Sequence, residues 1–212
     1  MDYNKLINNI NTGTPFTYSR FGDGEWNAIL QVGTQNCDKH KYFPDMGKAL
    51  KTVLDNGPEY FLGLQNLGKD KHKDNSEFKR LSSKNKWCSS ELLHRASIKG
   101  ELNSFFEALQ NKKILIVANK AVSNIKEVNA TKIIIPVENC WLKYKEILDD
   151  IQKYIQTNED AIVLYSASMM ANVLIDVIYN QYGKTITQID TGSVFDPYIG
   201  VQSRSYHKNL KI

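Results

Sequence analysis

Short, continuous apolar runs in the second half of the chain limit its fold more than any other feature: KILIVAN at 113–119, KIIIPV at 132–137 and AIVLYS at 161–166. Each is bounded by polar residues, as expected of strands covered on both faces of a sheet. TITQID at 185–190 makes a fourth. Between them, 141–155 and 169–182 carry helical patterns. Strands alternating with helices indicate an α/β layered fold with a largely parallel sheet.

The first half reads less regularly. Leu6, Ile7 and Ile10 at helical spacing, followed by Gly13 as a left-handed cap, predict a helix over 3–12. Residues 15–21 alternate and are rich in aromatic and β-branched types, which predicts a strand. Trp26, Ile29 and Leu30 suggest a short helix from Gly24, a second helix is expected over 46–54, and YFLGL at 60–64 reads as a strand. Residues 90–94 and 101–109 look helical. Lys69 to Lys86 holds many charges and few large apolar residues, so a partly helical surface excursion is expected around 69–99. The 212 residues suit one domain spanning 1–212.

With 42% hydrophobic and 24% charged residues the composition is that of an ordinary globular protein, which excludes the disordered class. No apolar run approaches the roughly 20 residues that span a bilayer, and the first residues show no basic stretch leading into an apolar one. No membrane span and a cytoplasmic location are therefore expected. Cys37, Cys88 and Cys140 are odd in number and widely spaced, which reads as three reduced thiols. Cys37 and His40 lack the second close pair that a structural zinc site needs. His40, His72 and His94 read as surface or packing residues. The net charge of +4 suits an anionic ligand, although a solvated basic surface gives the same figure.

In open parallel sheets ligands bind beyond the carboxyl ends of the strands. Five clusters fall just after predicted strands: Asp23-Gly24-Glu25, Asn119-Lys120, Glu138-Asn139, Ser166-Ala167-Ser168, and Asp190 with the residues after it. In TYSRFGDGEW two carboxylates flank one glycine at a strand-to-helix junction. They can face one hard cation, since Mg²⁺ or Mn²⁺ takes one or two protein carboxylates and keeps waters and phosphate oxygens for the rest. They can equally serve the helix, Asp23 as its cap and Glu25 in the first turn of its dipole. YSASMMANVL offers a turn of small residues leading into a helix whose free N–H groups can hold a phosphate, or Ser168 as a plain N-cap. It lacks the P-loop, dinucleotide and nucleophile-elbow patterns. The tail DTGSVFDPYIGVQSRSYHKNL gathers Asp190, Asp196, Arg204, Tyr206 and His207. Arg204 there suits a diphosphate, and Asp196 or His207 a general base; an ordinary wrap held by salt bridges is the alternative.

YSRFGDGEW, IIIPVENCWLKYKEI, IVLYSASMMANVLIDVIY and TQIDTGSVFD, in this order, resemble the GT-D-type glycosyltransferases, a family first catalogued as a bacterial domain of unknown function. The likeness runs from about residue 18 to 196 and is poorest over 69–99. It implies a Rossmann-like fold and transfer of a sugar from a nucleotide-sugar donor, typically a UDP-sugar, with Mn²⁺ or Mg²⁺ bridging protein and diphosphate. Asp23 and Glu25 occupy the positions of the family's Asp-x-Glu motif and so become the metal and donor pair, with Arg20, Gly22 and Gly24 beside them. Where the family usually has Leu-Gly-Pro-Thr-Ala, this chain has Tyr165-Ser166-Ala167-Ser168-Met169; the small-residue turn survives and puts Ser166 and Ser168 at the donor. Glu138 and Asn139 keep their place beside the pocket; Arg204, beyond the likeness, joins the donor set because its guanidinium suits a diphosphate.

A divalent cation stabilises the charge that grows on a diphosphate leaving group, while the acceptor hydroxyl needs a base. Asp196 is the first candidate, followed by His207 and Asp190. The expected acceptor is a hydroxyl of a glycan or glycoprotein. A hydroxymethylated base in DNA is the alternative favoured by the pI of about 8.8 and by GKDKHKDNSEFKR at 68–80. A nucleotide-binding module without catalysis is the remaining possibility.

Overall fold

A computed structural model describes residues 1–64 and 86–209. Seven strands, β1 (Thr17–Phe21), β2 (Phe61–Leu64), β3 (Lys86–Ser89), β4 (Ile114–Asn119), β5 (Thr131–Ile135), β6 (Ile162–Ser166) and β7 (Thr187–Asp190), form one sheet in the order β3-β2-β1-β7-β6-β4-β5. Every pairing is parallel. The α/β layered architecture expected from the apolar runs is what the chain adopts.

Helices cover both faces. On one side lie α2 (Asp23–Leu30), α3 (Pro44–Asp55), α6 (Tyr144–Gln156) and α7 (Met170–Tyr182), packed over Phe21, Leu62, Leu115, Val117, Val163 and Tyr165. On the other lie α1 (Tyr3–Thr12), α4 (Leu92–Ile98) and α5 (Asn103–Leu109), over Tyr18, Ile116, Leu164 and Ile189. The two residue sets alternate along β4 and β6, as the period of two in a strand requires. Buried polar groups tie the layers together: the Ser19 hydroxyl donates to Asn172 on α7, and Tyr60 and Asn180 both donate to Asp176.

Several expected boundaries shift. Helix α1 is as predicted, with Asp2 accepting from the Lys5 N–H and Gly13 left-handed at its end. Phe16 lies just outside β1. Helix α3 starts at Pro44, whose fixed φ and missing N–H suit the first turn. The helix expected from residue 141 begins as a 3₁₀ turn, Cys140–Lys143, because Asn139 sits at φ 53 and the chain must first turn back. The excursion expected around 69–99 is corrected over its described part. Lys86–Ser89 is edge strand β3, and α4 occupies Leu92–Ile98 rather than 90–94. Four residues with one charged end carry too little pattern to be seen in sequence. The remainder of that expectation, 69–85 with His72, lies outside the described residues.

The expectation that all the apolar runs are covered on both faces fails for β5. It is an edge strand, and Ile134 is 51% exposed. The connection from β4 to β5 contains only the 3₁₀ turn Val122–Asn124, too short to cover that face. No helix among the described residues is long and apolar enough to cross a membrane.

Helices α2 and α3 approach closely at Gly47, where an added Cβ would collide with the Ala28 carbonyl oxygen and crowd the Gln31 amide. Gly47→Ala should therefore cost roughly 1–3 kcal/mol and lower the thermal midpoint by about 3–8 °C, measured by calorimetry. An unchanged midpoint would show that the two helices can separate freely.

Candidate functional site

The chain leaves β1 towards the α2–α3 face. It leaves β7 towards the opposite face, where Val194 and Phe195 are buried. Adjacent strands whose continuations diverge in this way open a crevice between their carboxyl ends. The pairing of β1 with β7 is correspondingly short, with Thr17 opposite Gln188 and Tyr18 opposite Ile189.

At the floor of the crevice lies Asp190, only 5% exposed. Its carboxyl takes the N–H groups of Gly192, at 2.9 Å, and of Arg20. The Arg20 guanidinium stands 3.9 Å away and donates through Nε to the Ser90 carbonyl at 2.7 Å. Gly192 has φ 54, and a Cβ there would run into the guanidinium, so glycine is needed both for the turn and for the space. Three strand-end loops, after β1, β3 and β7, thus meet at one cation.

Glu25 sits beside this group. Gly22, extended at φ −112, is the N-cap of α2, and its N–H donates to Glu25 Oε2 at 2.7 Å. The capping assignment expected from sequence is therefore reversed. Asp23 is the first helical residue and Glu25, three positions from the cap, performs the reciprocal capping role. Asp23 is exposed, and one of its oxygens accepts from the Gly24 N–H at 3.0 Å.

Burial pushes the Glu25 carboxyl up to about 7 and that of Asp190 up to about 6. For Glu25 the nearby Asp190 raises it further, while the Gly22 N–H and Arg20 oppose the rise; for Asp190 the Arg20 guanidinium opposes it. Two acids and one guanidinium in a partly desolvated crevice are a group of the kind that marks a candidate functional site.

The other predicted residues surround this floor at different distances. Ser166 donates to the Gly192 carbonyl at 2.6 Å, tying the end of β6 to the turn after β7. Ser168 is not the cap of α7. It stands at φ 51, with Met169 as N-cap, and its hydroxyl accepts from Asn36 at 3.0 Å. Asn139 accepts from the Lys41 N–H at 2.9 Å, and Glu138 is 3.9 Å from Lys39. Ser168, Asn139 and Glu138 hold the loop 34–41 across the ends of β5 and β6.

The tail returns to the same edge. Asp196 is buried and accepts from the Ser203 hydroxyl; burial raises its pKa, with Ser203 and Arg204 opposing. Arg204 makes a two-pronged pair with Asp38. His207 is buried against α4, its Nδ1 accepting from the Arg204 N–H at 3.3 Å, and burial then Arg204 lower its pKa. His94 on α4 is buried as well, its pKa lowered by burial and by Arg20, Arg204 and His207. His40 is buried, with Cys140 Sγ 3.7 Å from its Nδ1, so both histidines are packing residues.

Asp38 and Ser90 were missed in the sequence. A lone aspartate in a loop and a backbone carbonyl leave no pattern to find. Among the described residues, no three or more His, Cys, Asp and Glu side chains form a metal cage. Among the described residues one Asp23 oxygen makes no hydrogen bond, and Asp23 is exposed while Glu25, two positions on, is partly buried. A hard cation held there would take most of its ligands from waters and phosphate oxygens.

The protein is thus of the doubly wound α/β class, with two acids and a guanidinium at the switch point of its parallel sheet. No protein-family model matches the sequence, and no curated protein matches it significantly. Among solved structures, one reported with the words "the highly conserved domain of unknown function 1792 has a distinct glycosyltransferase fold" is similar over 100% of this chain and 90% of its own, with TM-score 0.70 and 16% identity. A second, the selenomethionine-substituted structure of domain of unknown function 1792, covers 100% of this chain and 83% of its own at TM-score 0.68 and 17% identity. The chain has that glycosyltransferase fold, in agreement with the resemblance seen in its sequence.

Carboxyls that hold their protons more tightly in the folded than in the unfolded chain give stability that is complete below the unfolded pKa, near 4, and is lost as pH rises through the folded values of about 6 and about 7. The thermal midpoint should therefore fall between pH 5 and 7.5. In Glu25→Gln, which mimics the protonated acid, the fall should be shallower. Equal slopes in the two proteins would remove Glu25 from the account.

Proposed function

We propose that the protein is a metal-dependent glycosyltransferase that moves a sugar from a nucleotide-sugar, a UDP-sugar in the first instance, to a hydroxyl of a glycan or glycoprotein. The observation that carries this reading is the meeting of Gly22–Glu25, Arg20 and Asp190 at the switch point of a sheet with a glycosyltransferase fold.

Asp23 and Glu25 are the residues that would hold Mn²⁺ or Mg²⁺. A cation bound there supplies charge stabilisation to the departing diphosphate without proton transfer. The chain's own contributions follow from its geometry. Gly22 carries no side chain at the N-cap of α2, so a diphosphate would meet backbone there, while Gly24 packs against Asn36 and Met169. Arg20 is fixed by Ser90 and Asp190 and offers a positive charge with no freedom left to lose. Ser166 holds the turn after β7 in place.

Three residues were candidates for accepting the acceptor's proton. Asp190 spends its carboxyl on two backbone N–H groups and the guanidinium, and His207 is buried with Nδ1 in use. Asp196 remains first choice. Its burial-raised pKa moves it towards neutrality, where a base both exists unprotonated and accepts a proton effectively.

A panel of nucleotide-sugars with Mn²⁺, read by mass spectrometry for donor hydrolysis, tests the reading. Hydrolysis of at least one donor is expected, and Asp23→Ala should weaken metal-dependent donor binding about a hundredfold with the thermal midpoint little changed. Asp196→Asn should lower kcat by on the order of 10²-fold or more with donor affinity kept. Donor binding with no turnover, unaffected by Asp196→Asn, would leave a nucleotide-binding module instead. Transfer to duplex DNA carrying hydroxymethylated bases would replace the glycan acceptor.

A further inference from the structure

Arg204 stands in the tail, with no long element of its own to hold it. Its Nη1 donates to Asp38 Oδ1 at 2.8 Å and to the Ser203 carbonyl at 3.0 Å, and its Nη2 donates to Asp38 Oδ2 at 2.6 Å. A guanidinium carries five N–H donors in a rigid plane. Asp38 takes the end edge, and the side edge formed by Nε–H and the second Nη2–H makes no hydrogen bond among the described residues. That edge is a second fork, of the geometry that binds phosphate oxygens in pairs.

Asp38 is itself well held. Its N–H donates to Asn36 Oδ1 at 3.0 Å, as does that of His40 at 2.9 Å, while Asn36 donates onward to Ser168 and Lys41 donates to Asn139. Gln35 and Lys41 form an antiparallel bridge that closes the loop. Burial alone would raise the Asp38 pKa, yet the contacts with Arg204 outweigh it and the net shift is downwards, so the pair is ionised at neutral pH. The same loop stands against the start of α2, where a Cβ on Gly24 would meet Asn36 Cβ at 3.7 Å.

We propose that Asp38 is a positioning residue that presents the open edge of the Arg204 guanidinium to the diphosphate of a donor bound at Gly22–Glu25. This rests on the donor reading given above. The loop after α2, pinned to the ends of β5 and β6, assembles a cationic clamp that the tail could not hold by itself. Without Asp38 the long arginine side chain would have to be ordered at the moment of binding, at a cost in affinity.

Titration calorimetry with UDP plus Mn²⁺, and with inorganic pyrophosphate plus Mn²⁺, tests this on the full chain, alongside hydrogen exchange over 201–209. Asp38→Asn should weaken both probes by on the order of tenfold and speed exchange in the tail. Arg204→Lys keeps a charge for Asp38 but has no second fork. It should leave tail exchange close to wild type and weaken both probes as much. If tail exchange rises in Asp38→Asn while Kd for both probes stays at the wild-type value, Asp38 only orders the tail and the proposal fails. It fails too if Arg204→Lys binds as wild type does, or if the wild type binds neither probe. Pyrophosphate binding that depends on Asp38, without UDP binding, would support the clamp and remove the glycosyltransferase reading. UDP binding indifferent to both variants would do the reverse.

Discussion

The ion pair of Arg20 with Asp190 occupies the point on which the crevice depends. Two parallel strands that separate must leave backbone N–H groups without ladder partners, and burying such groups unpaired is costly. Asp190 satisfies them with its carboxyl, accepting from Gly192 and Arg20, and the guanidinium of Arg20 balances the buried charge. The guanidinium only partly offsets the cost of burying that charge, and the Asp190 carboxyl is pushed up to about 6. The pair therefore explains how β1 and β7 can part at all, and the parting is what makes room for a ligand.

Beside that pair, the residues that cap α2 are the ones proposed to hold the donor. Glu25 satisfies the N–H of Gly22 and thereby fixes the first turn of α2, whose remaining N–H groups and dipole favour an anion. Burial against Asp190 holds the Glu25 carboxyl near the midpoint of its titration at neutral pH, so a cation arriving at Asp23 would meet a group whose charge responds to it. A cap and a site were alternatives only while the sequence was read one residue at a time.

The loop 34–41 and the tail illustrate a different economy. Neither carries regular structure long enough to stand alone, and each is held by side-chain bonds to distant strand ends: Asn36 to Ser168, Lys41 to Asn139, Asp38 to Arg204. Glu138, Asn139 and Ser168, which strand-end position marks as site residues, act here by placing the loop. Proximity to the carboxyl edge is thus shared by residues that line the crevice and residues that brace what lines it.

The parallel sheet was legible because β4, β5 and β6 are short continuous apolar runs alternating with helical patterns, and the glycosyltransferase resemblance because four patches keep their order. The locations of Asp23, Glu25, Asp190 and Asp196 at strand ends followed from the same pattern, since in a parallel sheet every carboxyl end lies on one edge. Strand β3 was not legible, because four residues hold too little periodicity. Nor was the exposed face of β5, because cover depends on the length of a crossover and on strand order. Which acid caps, which is buried with a guanidinium and which stays in solvent was decided only in three dimensions. Those roles arise from contacts such as Arg20 with Ser90 and Arg204 with Asp38, 70 and 166 positions apart, and local sequence carries no record of such distances.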